Sequence, residues 1–160
     1  MNRRAFLTAT GATALTAAFL STRGTAASPA GDKRWTLSEA EWRKRLPPQR
    51  YAILREEATE RAFTSPLDKE KRAGTFACAG CALPLYSSKA KFESGTGWPS
   101  FWAALPKAVA TKTDYKIGLP RTEVHCRRCG GHLGHIFNDG PRPTGKRHCI
   151  NGLALVFRAA

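Results

Sequence analysis

Four of the five cysteines stand as two Cys-x-x-Cys pairs, Cys78 with Cys81 and Cys126 with Cys129. Cys149 stands alone in the run Arg147-His148-Cys149-Ile150-Asn151. Two such pairs supply the ligands of a closed tetrahedral Zn²⁺ site, because four thiolates neutralise the ion and leave no open position. Each pair fits one tight turn with both sulfurs pointing the same way. A lone cysteine beside a basic residue, in a chain with several histidines, is a candidate nucleophile.

Forty-four residues separate Cys81 from Cys126, more than a compact zinc ribbon uses. A metal held by both pairs therefore staples a long loop, and the sheets must bring the two turns together. Gly130-Gly131 gives the backbone freedom to wrap an ion, and Arg127 and Arg128 offset thiolate charge. Two redox-active pairs are the competing reading. They need a helix starting at the first cysteine, and Leu83-Pro84 and Gly130-Gly131 interrupt both candidate helices. The site is expected to be structural, with iron the lesser alternative to zinc.

The chain divides at its N-terminus. Met1-Asn2-Arg3-Arg4 precedes an uncharged, mildly apolar stretch from Thr8 to Leu20 and the small residues Thr25-Ala26-Ala27. That is the pattern of an export signal, and the paired arginines point to the twin-arginine route and the periplasm. The stretch is too short to span a bilayer, which takes ~20 residues. The twin-arginine route carries folded proteins, so metal would be loaded in the reducing cytoplasm before export. Residues 1–27 contain Arg3, Arg4 and Arg23 and no acid, so their removal lowers the net charge by three, from +14 to +11. The basic residues are scattered rather than aligned in a stripe. A solvated basic surface is expected, not a nucleic-acid site, on a monomer.

After a polar lead at 28–37, one domain is expected over 38–160. Ser38-Glu39-Ala40-Glu41 reads as a capping box, opening a short helix through Leu46 that Pro47-Pro48 ends. A second helix is predicted from about Gln49 to Arg61, with Tyr51, Ile53, Leu54 and Ala58 on its apolar face and Glu56, Glu57 and Glu60 in solvent. Beyond Thr64, short apolar runs are punctuated by Gly, Pro, Ser and Asp. They fall at Thr75–Cys78, Leu83–Tyr86, Ala108–Lys112, Tyr115–Gly118, Glu123–Cys126, His135–Phe137 and Leu153–Arg158. The fold class predicted is mainly β with short N-terminal helices: small antiparallel sheets joined by the metal site.

Three further blocks carry a resemblance: Gly97-Trp98-Pro99-Ser100-Phe101, His132-Leu133-Gly134-His135, and Arg147-His148-Cys149-Ile150-Asn151. In this order, and with the two cysteine pairs, the chain from about Ser38 to Phe157 resembles the B-type methionine sulfoxide reductases. The resemblance implies a β domain of two antiparallel sheets. The activity it implies is reduction of methionine (R)-sulfoxide, free or in proteins, as a form of protein repair. Carried over by position, Cys149 is the nucleophile, and His132, His135 and Asn151 are polar groups around the sulfoxide. Asp139 and Arg147 orient each other and the catalytic loop. Trp98 packs against the substrate methyl group, with Phe137 a second substrate contact.

These residue types suit the chemistry. The nucleophile must be a thiolate, so Cys149 needs a pKa lowered from ~8.5 towards neutrality, which Arg147 favours. A histidine can protonate the departing oxygen, leaving Cys149 as a sulfenic acid. An aromatic face suits an S–CH₃ group. The chain departs from the family at Thr96, where many members carry a second cysteine. No resolving cysteine remains, so the sulfenic acid must be reset by an external thiol or a thioredoxin-like partner. His148 replaces an aromatic residue, and either lowers the Cys149 pKa further or packs as a polar aromatic. Asn138 stands where Pro is common. Two other readings compete: a zinc-ribbon binding module with a basic surface, which gives Cys149 and Trp98 no role, and a thiol–disulfide exchanger.

Overall fold

The computed structural model describes residues 33–160, so the predicted export signal and the start of the polar lead lie outside the described residues. The capping box forms as read. The Ser38 hydroxyl accepts the Glu41 N–H at 3.3 Å, and the Glu41 carboxylate accepts the Ser38 N–H at 2.7 Å. Helix α1, Glu39–Arg45, follows and buries Trp42. Pro48 opens α2, Pro48–Glu56, at a position where a missing N–H costs nothing. Tyr51, Ile53 and Leu54 are buried as predicted, and Ala58 packs against the core from the segment beyond the helix.

Helix α2 stops five residues short of the predicted Arg61. Glu57 turns left-handed (φ 55°), and the Ala58 N–H closes back onto the Ala52 carbonyl at 3.0 Å. No Gly or Pro signals this end. Tertiary contacts set it instead, since the Glu57 carboxylate bonds Lys112 Nζ at 2.7 Å and Lys116 Nζ. The chain then peels away from the helix axis and carries Glu60 inward.

Nine strands follow: β1 Gly74–Cys78, β2 Pro84–Ser87, β3 Lys91–Phe92, β4 Ser100–Phe101, β5 Val109–Asp114, β6 Arg121–Cys126, β7 His132–Phe137, β8 Arg147–Ile150 and β9 Leu155–Ala159. They form two antiparallel sheets, β2-β1-β9 and β3-β4-β8-β7-β6-β5, so the predicted fold class holds. One predicted strand does not form. Tyr115 to Gly118 is the β5–β6 turn, closed by the Gly118 N–H on Tyr115 O at 2.9 Å and by the Lys116 N–H on Asp114 Oδ1 at 2.8 Å. Strands β3, β4 and β8 were not predicted; the first two hold only two residues, and β8 lies in a polar run.

Register decides the site. Residues directly opposed in an antiparallel pair point to the same face. The pairs Lys112↔Glu123, Glu123↔His135, His135↔Cys149 and Cys149↔Ser100 therefore form one row across five strands. The neighbouring row, Thr122↔Ile136, Ile136↔His148 and His148↔Phe101, points to the other face. There Phe101 stacks on Tyr86 at 4.4 Å and meets Phe76 edge-on at 4.9 Å, all fully buried. Gly134, opposite Ile150, has no room for a side chain: a Cβ would lie 2.0 Å from the Cys149 carbonyl oxygen.

Candidate active site and metal centre

The two cysteine turns are built alike. In each, the first cysteine donates its N–H to the carbonyl five residues on, Cys78 to Leu83 O at 2.8 Å and Cys126 to Gly131 O at 2.9 Å. Its own carbonyl accepts the N–H four residues on, from Ala82 at 2.8 Å and Gly130 at 2.9 Å. Both Ala82 (φ 59°) and Gly130 (φ 68°) are left-handed, a conformation that glycine adopts freely and alanine does not. Both turns thereby aim their sulfurs at one point.

Cys78, Cys81, Cys126 and Cys129 are all buried, and their sulfurs lie within 4.8 Å of one another. Cys78 and Cys129 approach to 3.7 Å, and Cys81 and Cys126 to 3.5 Å. These are not disulfide distances, but they fit the ~3.8 Å edges of a tetrahedron with metal–sulfur bonds of ~2.3 Å. The other three sulfurs, crowded around Cys126, push its thiol far down. Four thiolates so close need a cation, and this donor set can hold a metal ion. Positive charge comes from Arg128, bonded to Cys81 O at 3.1 Å, and Arg55, bonded to Cys129 O at 2.9 Å. Arg127, expected to share that role, is exposed.

Cys149 faces a separate cavity of about 150 Å³, lined also by Thr59, Trp98, Arg121, Gly134, His135, Phe137 and Asn151. Five of the predicted site residues therefore share one small space. The thiol is half-buried, and burial pushes its pKa up more than Thr96 and Arg147 pull it down. The expected low pKa is not met in the free protein, because desolvation outweighs one hydrogen bond and one nearby guanidinium. Arg147 grips Asp139 through two bonds of 2.9 and 2.8 Å and stacks 4.4 Å over Phe137.

The two motif histidines are placed differently. His135 lines the cavity and bonds Asp114 Oδ2 through Nε2 at 2.8 Å. Asp114 also takes the Lys116 N–H and Arg121 Nη2, and these bonds hold its carboxyl well below the usual range. The ionised Asp114 fixes the proton on His135 Nε2, while burial lowers the His135 pKa. His132 does not line the cavity. It sits behind, 3% exposed, bonded through Nδ1 to Glu123 Oε1 at 2.8 Å, and burial drops its pKa to about 4. Its ring meets that of His135 edge-on at 5.5 Å. Lys112 Nζ lies 2.9 Å from Glu123 Oε2 and links this pair to the surface.

Asn151 lines the cavity with both ends of its amide engaged, Nδ2 on Leu133 O at 3.1 Å and Oδ1 on the Glu60 N–H at 3.0 Å. Trp98 Nε1 donates to the Glu60 carbonyl at 3.2 Å. The Glu60 carboxylate in turn accepts the N–H of Gly152 and, at 2.9 Å, that of Leu153. Glu60 was expected in solvent without a role. It is 8% exposed, because the early end of α2 turns it in, and burial raises its pKa. Sequence reasoning also missed Asp114, Arg121, Glu123 and Thr59. The alternation Arg121-x-Glu123 ahead of Cys126 was the one available signal, since it puts both charges on one strand face. His148 resolves as a polar aromatic: it points away from the cavity, with Nδ1 3.2 Å from the Tyr86 hydroxyl, and burial lowers its pKa to about 4.

The SelR domain family matches residues 46–159. Peptide methionine sulfoxide reductase MsrB of Leptospira interrogans is 52% identical over 122 residues, 76% of this chain and 93% of that protein. The protein of the same name from Thiobacillus denitrificans is 54% identical over 121 residues, 75% of this chain and 92% of its own. Peptide methionine sulfoxide reductase B1, chloroplastic, of Arabidopsis thaliana is 51% identical over 125 residues, 78% and 62% of the two chains. With a lone cysteine in a walled cavity, a four-cysteine centre and matches over most of its length, the chain belongs to the SelR-domain family of B-type peptide methionine sulfoxide reductases.

Proposed function

We propose that this protein reduces methionine (R)-sulfoxide, free or within a polypeptide, to methionine, with Cys149 as nucleophile. The observation that carries the reading is the Cys149 cavity, walled by Trp98 and Phe137 and faced across the strand by His135. Cys149 Sγ attacks the sulfoxide sulfur, and the S–O bond of the substrate breaks as oxygen passes to Cys149. The thiol proton travels through His135 to that oxygen. His135 is neutral at rest, and the Asp114 carboxylate stabilises the imidazolium formed in transit. The products are methionine and a Cys149 sulfenic acid, so the substrate sulfur is reduced by two electrons and the enzyme sulfur oxidised by two.

One external thiol then condenses with the sulfenic acid and releases water. A second thiol attacks the mixed disulfide and restores Cys149. A thioredoxin-like protein or a small thiol fills this role, since Thr96 faces Cys149 and the other four cysteines cluster at the metal centre. That centre holds Zn²⁺ on Cys78, Cys81, Cys126 and Cys129, where the ion neutralises thiolate charge and ties the two turns together. His132 and Asn151 act as positioning groups, and Arg147 with Asp139 fixes the approach to the sulfur. Export by the twin-arginine route to the periplasm, as a monomer, completes the reading. It rests on Arg3-Arg4 and the apolar stretch that follows. Among the described residues no helix is long and apolar enough to cross a membrane.

Separated epimers of a peptide methionine sulfoxide, each offered with excess dithiol, test the reaction. Loss of the R epimer alone is expected; equal turnover of both, or none, defeats the reading. One turnover without reductant, followed by mass spectrometry, tests the reset. An intramolecular disulfide to Cys149 in place of a sulfenic acid would overturn the external-thiol step.

A further inference from the structure

Thr96 lies in the loop between β3 and β4, flanked by the left-handed Gly95 (φ 71°) and Gly97 (φ 90°). Its Oγ1 stands 3.9 Å from Cys149 Sγ and 2.8 Å from Ser94 Oγ. Ser94 Oγ accepts the Ser100 hydroxyl at 2.8 Å and the Thr96 N–H at 3.4 Å. Ser100 is fully buried and sits directly opposite Cys149 in the β4–β8 pairing.

A hydroxyl oxygen has two acceptor sites and one proton. With both acceptor sites of Ser94 filled by Ser100 and the Thr96 amide, the Ser94 proton goes to Thr96 Oγ1. The Thr96 proton is then turned towards Cys149 Sγ. The Ser100 proton has a second acceptor, the Trp98 carbonyl at 3.0 Å. When it goes there, Ser94 loses one of its two donors and the direction of the chain weakens. The order of the hydroxyls is thus Ser100, Ser94, Thr96, sulfur.

We propose that Thr96 is a further catalytic residue of this site: its hydroxyl, oriented by Ser94 and Ser100, donates a hydrogen bond to the Cys149 sulfur. The bond stabilises the thiolate twice, when it attacks the sulfoxide and when it leaves the mixed disulfide. The inference rests on Cys149 being the nucleophile. A contact of 3.9 Å is loose for a neutral thiol and tightens when the sulfur carries charge, because charge-assisted bonds are shorter and stronger. The Thr96 bond is the largest influence pulling the Cys149 thiol down against burial. Other charged groups share the site: Arg147 with Asp139, His135 with Asp114 across the strand, and Arg121 on the cavity wall. None of them changes when Thr96 does.

The test compares Thr96→Val, which keeps the shape and removes the hydroxyl, with Thr96→Ser, which keeps the hydroxyl. In the metal-loaded protein, alkylation of Cys149 by iodoacetamide is followed across pH, with the labelled peptide counted by mass spectrometry. Thr96→Val is expected to cut the neutral-pH rate roughly three- to tenfold and move the midpoint of the profile up, the scale of one hydrogen bond to a charged group. Thr96→Ser should restore most of the loss, and Ser94→Ala should fall between. Superimposable profiles for Thr96→Val and the unaltered protein overturn the proposal, and so does a loss that Thr96→Ser fails to repair. Retained sulfoxide reduction in Cys149→Ser is a different result: it defeats the nucleophile reading itself, whatever the alkylation profiles show.

Discussion

The molecule keeps two populations of thiol in opposite circumstances. Four sulfurs sit buried within 4.8 Å of one another, on turns with matching hydrogen bonds and arginines behind their carbonyls. The fifth sits half-buried at the middle of a strand, opening into a cavity and touched by a hydroxyl and a guanidinium. The first group is crowded, and its four sulfurs together can hold a metal ion. The second is isolated, with no other sulfur beside it and a cavity in front of it. Residue type is the same in both; what differs is the number of other sulfurs within reach.

The sharpest way to break this contrast is to exchange the consequences. Cys126→Ser removes one of the four sulfurs proposed to hold zinc, and a structural zinc contributes ~10–16 kcal/mol, comparable to the whole stability of a domain. No cooperative thermal transition is expected, and metal analysis should show little bound ion. Cys149→Ser should melt as the parent does, bind its metal, and lose sulfoxide reduction completely. A Cys126→Ser protein that melts normally, or an active Cys149→Ser protein, would erase the division.

A smaller effect is expected where the sheet meets the helical segment. Glu60→Ala strips the carboxylate from the Gly152 and Leu153 amides, just beyond β8. Leaving one buried and one half-buried donor unpaired costs about 1–4 kcal/mol. Chemical denaturation measures that loss. Because Trp98 and Asn151 both lean on the backbone of Glu60, KM should rise more than kcat falls. Unchanged stability would place the carboxylate outside the support of the site.

The smallest predicted effect is pH dependence, and it separates the histidines. His132 and His148 both titrate near 4 in the folded protein, lowered by burial, against about 6.5 unfolded. Between those values the unfolded chain binds more protons, so stability rises with pH there. The full contribution is present above about pH 6.5 and drains away as the pH falls to about 4, on the order of 1–3 kcal/mol for the buried His132. Melting temperatures across that window measure it. His148→Phe should flatten part of the slope and leave turnover intact; an unaltered slope would mean that His148 charges without penalty.

Much of this arrangement was legible in the sequence, and the reasons are physical. The Cys-x-x-Cys spacing fixes a turn locally, and the capping box needs only four consecutive residues. The partition of His148 from Cys149 follows from strand alternation once β8 is known. What could not be read depends on pairing between distant segments. Asp114 meets His135 only because β5, β6 and β7 align, and Lys112 reaches Glu123 for the same reason. Glu60 defeated the helical reading because contacts of Glu57 with Lys112 and Lys116, more than fifty residues away, end α2 where its own residues do not. Strand β8 escaped notice because a strand with one polar face into a cavity lacks an apolar run.

The clash of any Cβ at Gly134 with the Cys149 carbonyl has a consequence for parity. Along β8 the residues alternate between cavity and core, so sliding the strand one place against β7 would send Cys149 into the aromatic cluster and present His148 to the cavity. Such a molecule would keep its sheets and have no thiol in the cavity. The displaced register would also bring a different residue beside Gly134. Gly134 lets the β8 backbone come close at this point, where any side chain would hold the two strands apart. Whether a thiol faces the cavity is decided by odd or even, before any question of distance arises.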